Sequence, residues 1–92
     1  MKIYIAGPMT GIKDFNRSEF NKAAEELGNS YIALNPAILP SGLKQSEYMD
    51  ICLSMIRCCD CVYALKGYKA SLGALAEIAL ANKLGLTVIY QD

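Results

Sequence analysis

Cys61-Val62-Tyr63-Ala64-Leu65, then Lys66-Gly67-Tyr68-Lys69-Ala70, then a run from Ser71 to Leu84 closed by Gly85, then Leu86-Thr87-Val88-Ile89-Tyr90: this stretch decides the fold. Its two five-residue ends are apolar and rich in β-branched and aromatic residues, which suits strands covered on both faces. The run between them is long enough for a helix, and glycine is the usual residue just past a helix end. Strand, helix, strand predicts a βαβ unit with parallel strands and a right-handed crossover.

The same alternation continues toward the N-terminus. Met49, Cys52, Ile56 and Cys59 recur at helical spacing and predict a helix from about Ser46 to Cys59. Tyr31-Ile32-Ala33-Leu34 reads as a strand stopped by Asn35-Pro36, with a loop at Pro40, Ser41 and Gly42 after it. Phe20, Ala23, Ala24 and Leu27 mark another helix, ended by Gly28. Asn16-Arg17-Ser18-Glu19 before it has the form of a capping box, with Asn in place of Ser or Thr. Lys2-Ile3-Tyr4-Ile5-Ala6 is the first strand, ended by Gly7-Pro8. The expectation is an α/β domain spanning residues 1–92, flavodoxin-like or Rossmann-like. Its four parallel strands should run in the order 2-1-3-4, with helices on both faces.

Composition removes several function classes. Nine basic and nine acidic residues cancel and form no basic stripe, so a nucleic-acid polymer is not an expected partner. No apolar run approaches the ~18 residues of a membrane span. Met1-Lys2 leads straight into a strand pattern, so no signal peptide and no membrane association are expected, and a cytoplasmic location is. In that compartment Cys52, Cys58, Cys59 and Cys61 should be free thiols acting as small apolar residues. The chain has no histidine, which argues against zinc and excludes Ser–His and Cys–His nucleophile pairs. No metal and no cofactor are expected. At this chain length the core is modest, and a helical face carrying Met49, Met55 and several alanines suggests a homodimer or higher homo-oligomer.

In open parallel sheets, ligands sit beyond the carboxyl ends of the strands, where the strand order reverses. Gly7-Pro8-Met9-Thr10-Gly11, Asn35-Pro36 and Gly67 through Gly73 all reach that edge. The first of these lacks the glycine spacing of a dinucleotide site and the Gly-Lys of a P-loop, and it also reads as a plain turn. Glu77 lies four residues after Gly73, on one helix face with it, and its side chain leans back over the glycine. The free N–H groups of the first helical turn and the Ser71 hydroxyl lie beside that space. A carboxylate next to an anion cradle is a candidate active site. The competing reading makes Glu77 a solvated helix residue and Gly73 a packing residue. Asp60 reads as a cap on the connection before the third strand.

Lys2-Ile3-Tyr4-Ile5-Ala6-Gly7-Pro8-Met9, the order Ile56-x-x-x-Asp60-x-Val62, and Ser71-Leu72-Gly73 followed by Glu77 resemble the nucleoside 2-deoxyribosyltransferases. They also resemble the related deoxynucleoside 5′-monophosphate N-glycosidases. Two motifs, Ala6 to Gly11 and Gly67 to Ala74, look most like a compact, uncharacterised branch common in phages and prophages. The resemblance covers nearly the whole chain. It implies that Glu77 is a nucleophile attacking C1′ of a 2-deoxyribose, and that Tyr4 is its first-strand neighbour. Tyr4 reads equally as an aromatic packed on the sheet. The resemblance further implies a nucleoside or nucleotide as ligand. Ser71 stands where the hydrolases bind phosphate, and serine at a helix N-terminus suits an anion. Gly7, Pro8, Met9, Thr10, Gly11 and Gly73 complete the expected binding set.

Two departures accompany the resemblance. Cys52 stands where both enzyme groups carry an aspartate, and Asp50 lies roughly 200° away around the helix. The enzymes also continue beyond the fourth strand, with a C-terminal residue donated across a subunit interface, whereas this sequence stops at Asp92. Two functions remain open on these grounds: an N-glycosidase or deoxyribosyltransferase using Glu77, and a non-catalytic nucleotide-binding module on the same fold. A small structural or interaction protein is a third reading.

Overall fold

The computed structural model describes residues 1–91, so Asp92 lies outside the described residues. Strands β1 (Lys2–Ala6), β2 (Ile32–Leu34), β3 (Cys61–Ala64) and β4 (Thr87–Tyr90) alternate with helices α1 (Arg17–Leu27), α2 (Gln45–Arg57) and α3 (Leu72–Lys83). All pairings are parallel and the order is β2-β1-β3-β4, as the alternation predicts. Tyr4 pairs with Val62 and Ile5 with Tyr63, which fixes the phase of the two central strands.

That phase divides the core into two layers, because side chains alternate across a sheet. Tyr4, Ala6 and Val62 face one way and pack with Cys52, Ile56 and Cys59 of the α2 side and Ala81 of α3. Ile5 and Leu65 face the other way, against Phe20 and Ala23 of α1 and Ala37. Ile3, Tyr4, Ile5 and Ala6 are completely buried, as a central strand covered on both faces must be. From β1 the chain moves outward to β2 and then crosses back to β3. The resulting crevice lies at the carboxyl ends of β1 and β3.

Three details depart from the sequence reading. Asn16 does not build a capping box: it sits at φ 61°, after Asp14 at 50° and Phe15 at 53°, all left-handed. Its amide nitrogen instead donates to the Pro8 carbonyl (3.0 Å), tying the start of α1 to the loop after β1. Half of such a box occurs at α2, where the Lys44 N–H donates to the Glu47 carboxylate (2.8 Å) while the Lys44 backbone carbonyl accepts the Glu47 N–H (2.9 Å). That helix starts at Gln45 and ends at Arg57, short of Cys59. The Cys58 and Cys59 N–H groups reach back only three residues, to Met55 and Ile56, which tightens the last turn. Among the described residues no helix is long and apolar enough to cross a membrane.

Candidate active site

The floor of the site is built by regular structure. Tyr4 is on β1 and Glu77 is in the second turn of α3, 73 residues later. Their side chains meet inside the layer between sheet and helices. The Tyr4 hydroxyl donates to Glu77 Oε2 at 2.7 Å, and both residues are buried. This excludes the solvated-helix reading of Glu77. Tyr4 does pack on the sheet, and its one polar atom is spent on the carboxylate. Cys52 of α2 lies in the same cluster and is also buried.

Burial sets the proton equilibria here. It pushes the Glu77 carboxyl up to about 7, against the opposing effect of the Tyr4 hydroxyl and, after it, the Cys52 thiol. Burial also raises Tyr4 well above the ordinary phenol range, and the neighbouring Glu77 charge adds to this. The Cys52 thiol is pushed up to about 11 by burial, so it stays neutral. The floor therefore holds one carboxyl that titrates near neutrality and two groups that keep their protons.

Above this floor opens a cleft of about 550 Å³ at the carboxyl edge of the sheet. Of the expected residues, Tyr4, Gly7, Pro8, Met9, Thr10, Ser71, Gly73 and Glu77 all line it. Gly11 does not; it turns the exposed loop at φ 81°. Gly7 is needed for packing, since a Cβ there would lie 2.9 Å from the Leu65 Cβ. At Gly73 a Cβ would meet Met49 Sδ at 3.7 Å and Ser71 Oγ at 3.9 Å, so that space admits a methyl group. Ser71 caps α3: its Oγ accepts from the Ala74 N–H (3.1 Å) and its carbonyl from the Leu75 N–H. The Ser71 hydroxyl proton and the first two N–H groups of α3, at Leu72 and Gly73, have no partner among the described residues, and all three residues line the cleft.

Sequence reasoning missed the rest of the wall. Gln45, Tyr48, Met49 and Cys52 form a single stripe of α2 facing the cleft. Their i, i+3, i+4, i+7 spacing was a usable signal, but it reads equally as an ordinary core face. Met49, expected on an outward dimer face, belongs to this stripe. Phe15 contributes from the turn before α1, and Arg17 and Phe20 from its start. Arg17 is held in place by three of its five donors: it donates to Asp14 Oδ1 (2.8 Å), the Ala37 carbonyl (3.3 Å) and Ser41 Oγ (3.1 Å), and it lies over the Phe15 ring. Among the described residues no lysine lines the cleft.

The remaining acids and thiols lie elsewhere. Asp60 accepts the Lys2 N–H (2.8 Å) at the opposite end of the sheet, as a structural cap would. Asp50 is exposed on α2 and borders a shallow groove with Leu34, Ile51 and Met55, away from Glu77. All four cysteines are free thiols, with Cys58 exposed and the others buried. Among the described residues no group of three or more potential ligands is placed to hold a metal ion.

The family described as a domain of unknown function (DUF4406) matches residues 1–90, and the chain belongs to it. No curated protein matches the chain. Among solved structures, the fold is similar to that of a 2-deoxyribosyltransferase from Leishmania mexicana, with a TM-score of 0.76 and 23% sequence identity. That similarity covers 97% of this chain and 62% of the other, so the chain spans less than two thirds of the enzyme's length.

Proposed function

We propose that this domain, a member of DUF4406, cleaves the N-glycosidic bond of a deoxynucleoside or deoxynucleotide through a covalent intermediate on Glu77. The observation that carries the reading is the buried Tyr4–Glu77 hydrogen bond at the floor of the cleft. With Oε2 held by the tyrosine, the carboxylate cannot rotate freely, and the nucleophile is oriented before substrate arrives. The ionised carboxylate attacks C1′ of the sugar. The C1′–N bond breaks, its electron pair leaves with the base, and the base takes a proton from water. Water, or a second base, then attacks C1′ of the glycosyl ester and frees the carboxylate. The first route is hydrolysis and the second is transfer.

Likeness to a 2-deoxyribosyltransferase supports the fold this chemistry needs and a small nucleoside-type ligand. The Ser71 hydroxyl and the first N–H groups of α3 favour a 5′-phosphate, because the helix N-terminus attracts negative charge. Gly7 to Thr10 form the facing wall. The test is release of free nucleobase from a panel of deoxynucleosides and their 5′-monophosphates. Release from any of them supports the reading, and no release from all of them overturns it.

One observation favours a second reading. Cys52 is a neutral thiol at a wall where an aspartate would carry charge, so a nucleotide-binding module without turnover is consistent with the same cleft. That module would be stabilised thermally by nucleotides, by about 2.7 kcal/mol at a hundredfold excess over Kd, while releasing no base.

A further inference from the structure

The polar side chains that line the cleft are nearly all committed. Tyr4 donates to Glu77, and Tyr48 donates to the Pro40 carbonyl at 2.6 Å. Arg17 is held by three partners, and Ser71 Oγ caps α3, with its hydroxyl proton left for the phosphate proposed above. Gln45 is different. It opens α2, it is exposed at the cleft, and among the described residues its side chain makes no hydrogen bond. Thr10 also lines the cleft and is free, but it offers only a single hydroxyl oxygen.

We propose that Gln45 is a specificity-determining residue: its side-chain amide reads the far edge of a neutral nucleobase whose sugar lies at Glu77. The inference rests on the glycosidic reading above and deepens it. Gln45 and Cys52 are seven residues apart on one face of α2, which separates them by roughly 10 Å along the helix axis. Cys52 marks the reacting end, because it clusters with Tyr4 beside Glu77. A nucleobase and one hydrogen bond of about 3 Å span about the same length. Met49 lies between the two on that face, and its thioether suits the flat face of a heterocycle. A primary amide presents one acceptor beside two donors, so it meets the paired donor and acceptor that the natural bases carry on that edge. It bears no charge, and among the described residues the one cation that lines the cleft, Arg17, is tied to Asp14, Ala37 and Ser41, so the preferred base is neutral.

The experiment compares wild type with Gln45→Leu on matched substrates. One pair is deoxyadenosine and the analogue with hydrogen in place of the 6-amino group. The other is deoxycytidine and the analogue lacking its 4-amino group. Each analogue leaves with its own intrinsic ease, so the readout is the change in the kcat/KM ratio between the two proteins. For at least one pair, the preference for the amino-bearing base should fall about tenfold in Gln45→Leu, through KM with kcat little changed. Gln45→Glu, which can only accept, should retain that preference. Equal ratios in wild type and Gln45→Leu for both pairs overturn the proposal while leaving the glycosidic reading intact. If wild type releases no base, the glycosidic reading fails. The same ratios are then measured as Kd by calorimetry, where a loss of preference in Gln45→Leu supports base reading and equal ratios, or no binding at all, overturn it.

Discussion

The floor of the cleft and its rim are built on opposite terms. On the floor, Tyr4, Cys52 and Glu77 come from the middle of a strand and two helices, and the backbone beneath them is regular. At the rim, Asp14, Phe15 and Asn16 are three consecutive non-glycine residues in the left-handed region. Such residues cost roughly 1–2 kcal/mol each, so they persist only where other contacts fix them. Here Arg17 and Asn16 supply those contacts, to Asp14, Ala37, Ser41 and Pro8. Precision on the floor comes from packing, whereas shape at the rim comes from a few polar ties across the chain. The floor is thus held by its core, and the rim by ties that a single side chain can remove.

The largest effect should come from the floor. Glu77→Gln keeps the shape and an acceptor for Tyr4 but cannot form a glycosyl ester. Base release should fall by about a thousandfold or more, while ligand-induced stabilisation survives. In wild type the attacking form is the carboxylate, so release should rise with pH through about 7. Release that falls over that range would make Glu77 a proton donor instead. Turnover left intact in Glu77→Gln would remove the carboxylate from the chemistry.

Next in size is the dependence of stability on pH. The folded protein holds a proton on Glu77 up to about 7, against 4.5 for an ordinary carboxyl. The contribution is therefore fully present below about 4.5 and is lost as pH rises through 7. It amounts to about 3 kcal/mol, of which the Gln variant should be free. Denaturant unfolding at pH 5 and pH 8 should accordingly show a smaller difference for Glu77→Gln than for wild type, with the variant the more stable at pH 8. Equal differences in the two proteins would show that the floor is wetter than its packing suggests.

At the helix terminus between floor and rim, Ser71→Asp keeps a cap for α3 but adds a negative charge. Binding of a deoxynucleoside 5′-monophosphate should weaken about tenfold, with the matching nucleoside unaffected or improved. Equal weakening of both ligands would detach Ser71 from the phosphate.

Much of the floor was legible in the chain. Alternating apolar strands and helices give the sheet order, the order gives the edge, and the i to i+4 relation places Glu77 with Gly73 on it. Tyr4 was half legible: its position on the first strand is plain, but a hydrogen bond to a residue 73 positions away has no local signature. The burial of Glu77 was hidden for the same reason, since a lone acid on a helix reads as solvated until the sheet beneath it is in place. The rim was not legible. Asn16-Arg17-Ser18-Glu19 carries the residue pattern of a cap. The left-handed turn that overrides it depends on Pro8, Ala37 and Ser41, which a local pattern does not contain.

The smallest effect tests that override most directly. Phe15→Ala and Phe15→Gly both lose the ring contact with Arg17, so that contribution cancels in their comparison. What remains is the backbone. In an ordinary position glycine is the less stable of the two by about 0.5–1 kcal/mol, because its unfolded chain is freer. At φ 53° the alanine Cβ meets the steric cost of the left-handed region, which glycine escapes. The order should therefore invert, with Phe15→Gly more stable than Phe15→Ala by about 0.5–1 kcal/mol in denaturant unfolding. If alanine is the more stable, residues 14–16 relax out of the left-handed region in solution. The rim would then be an ordinary loop, and the contrast with the floor would be one of mobility instead of strain.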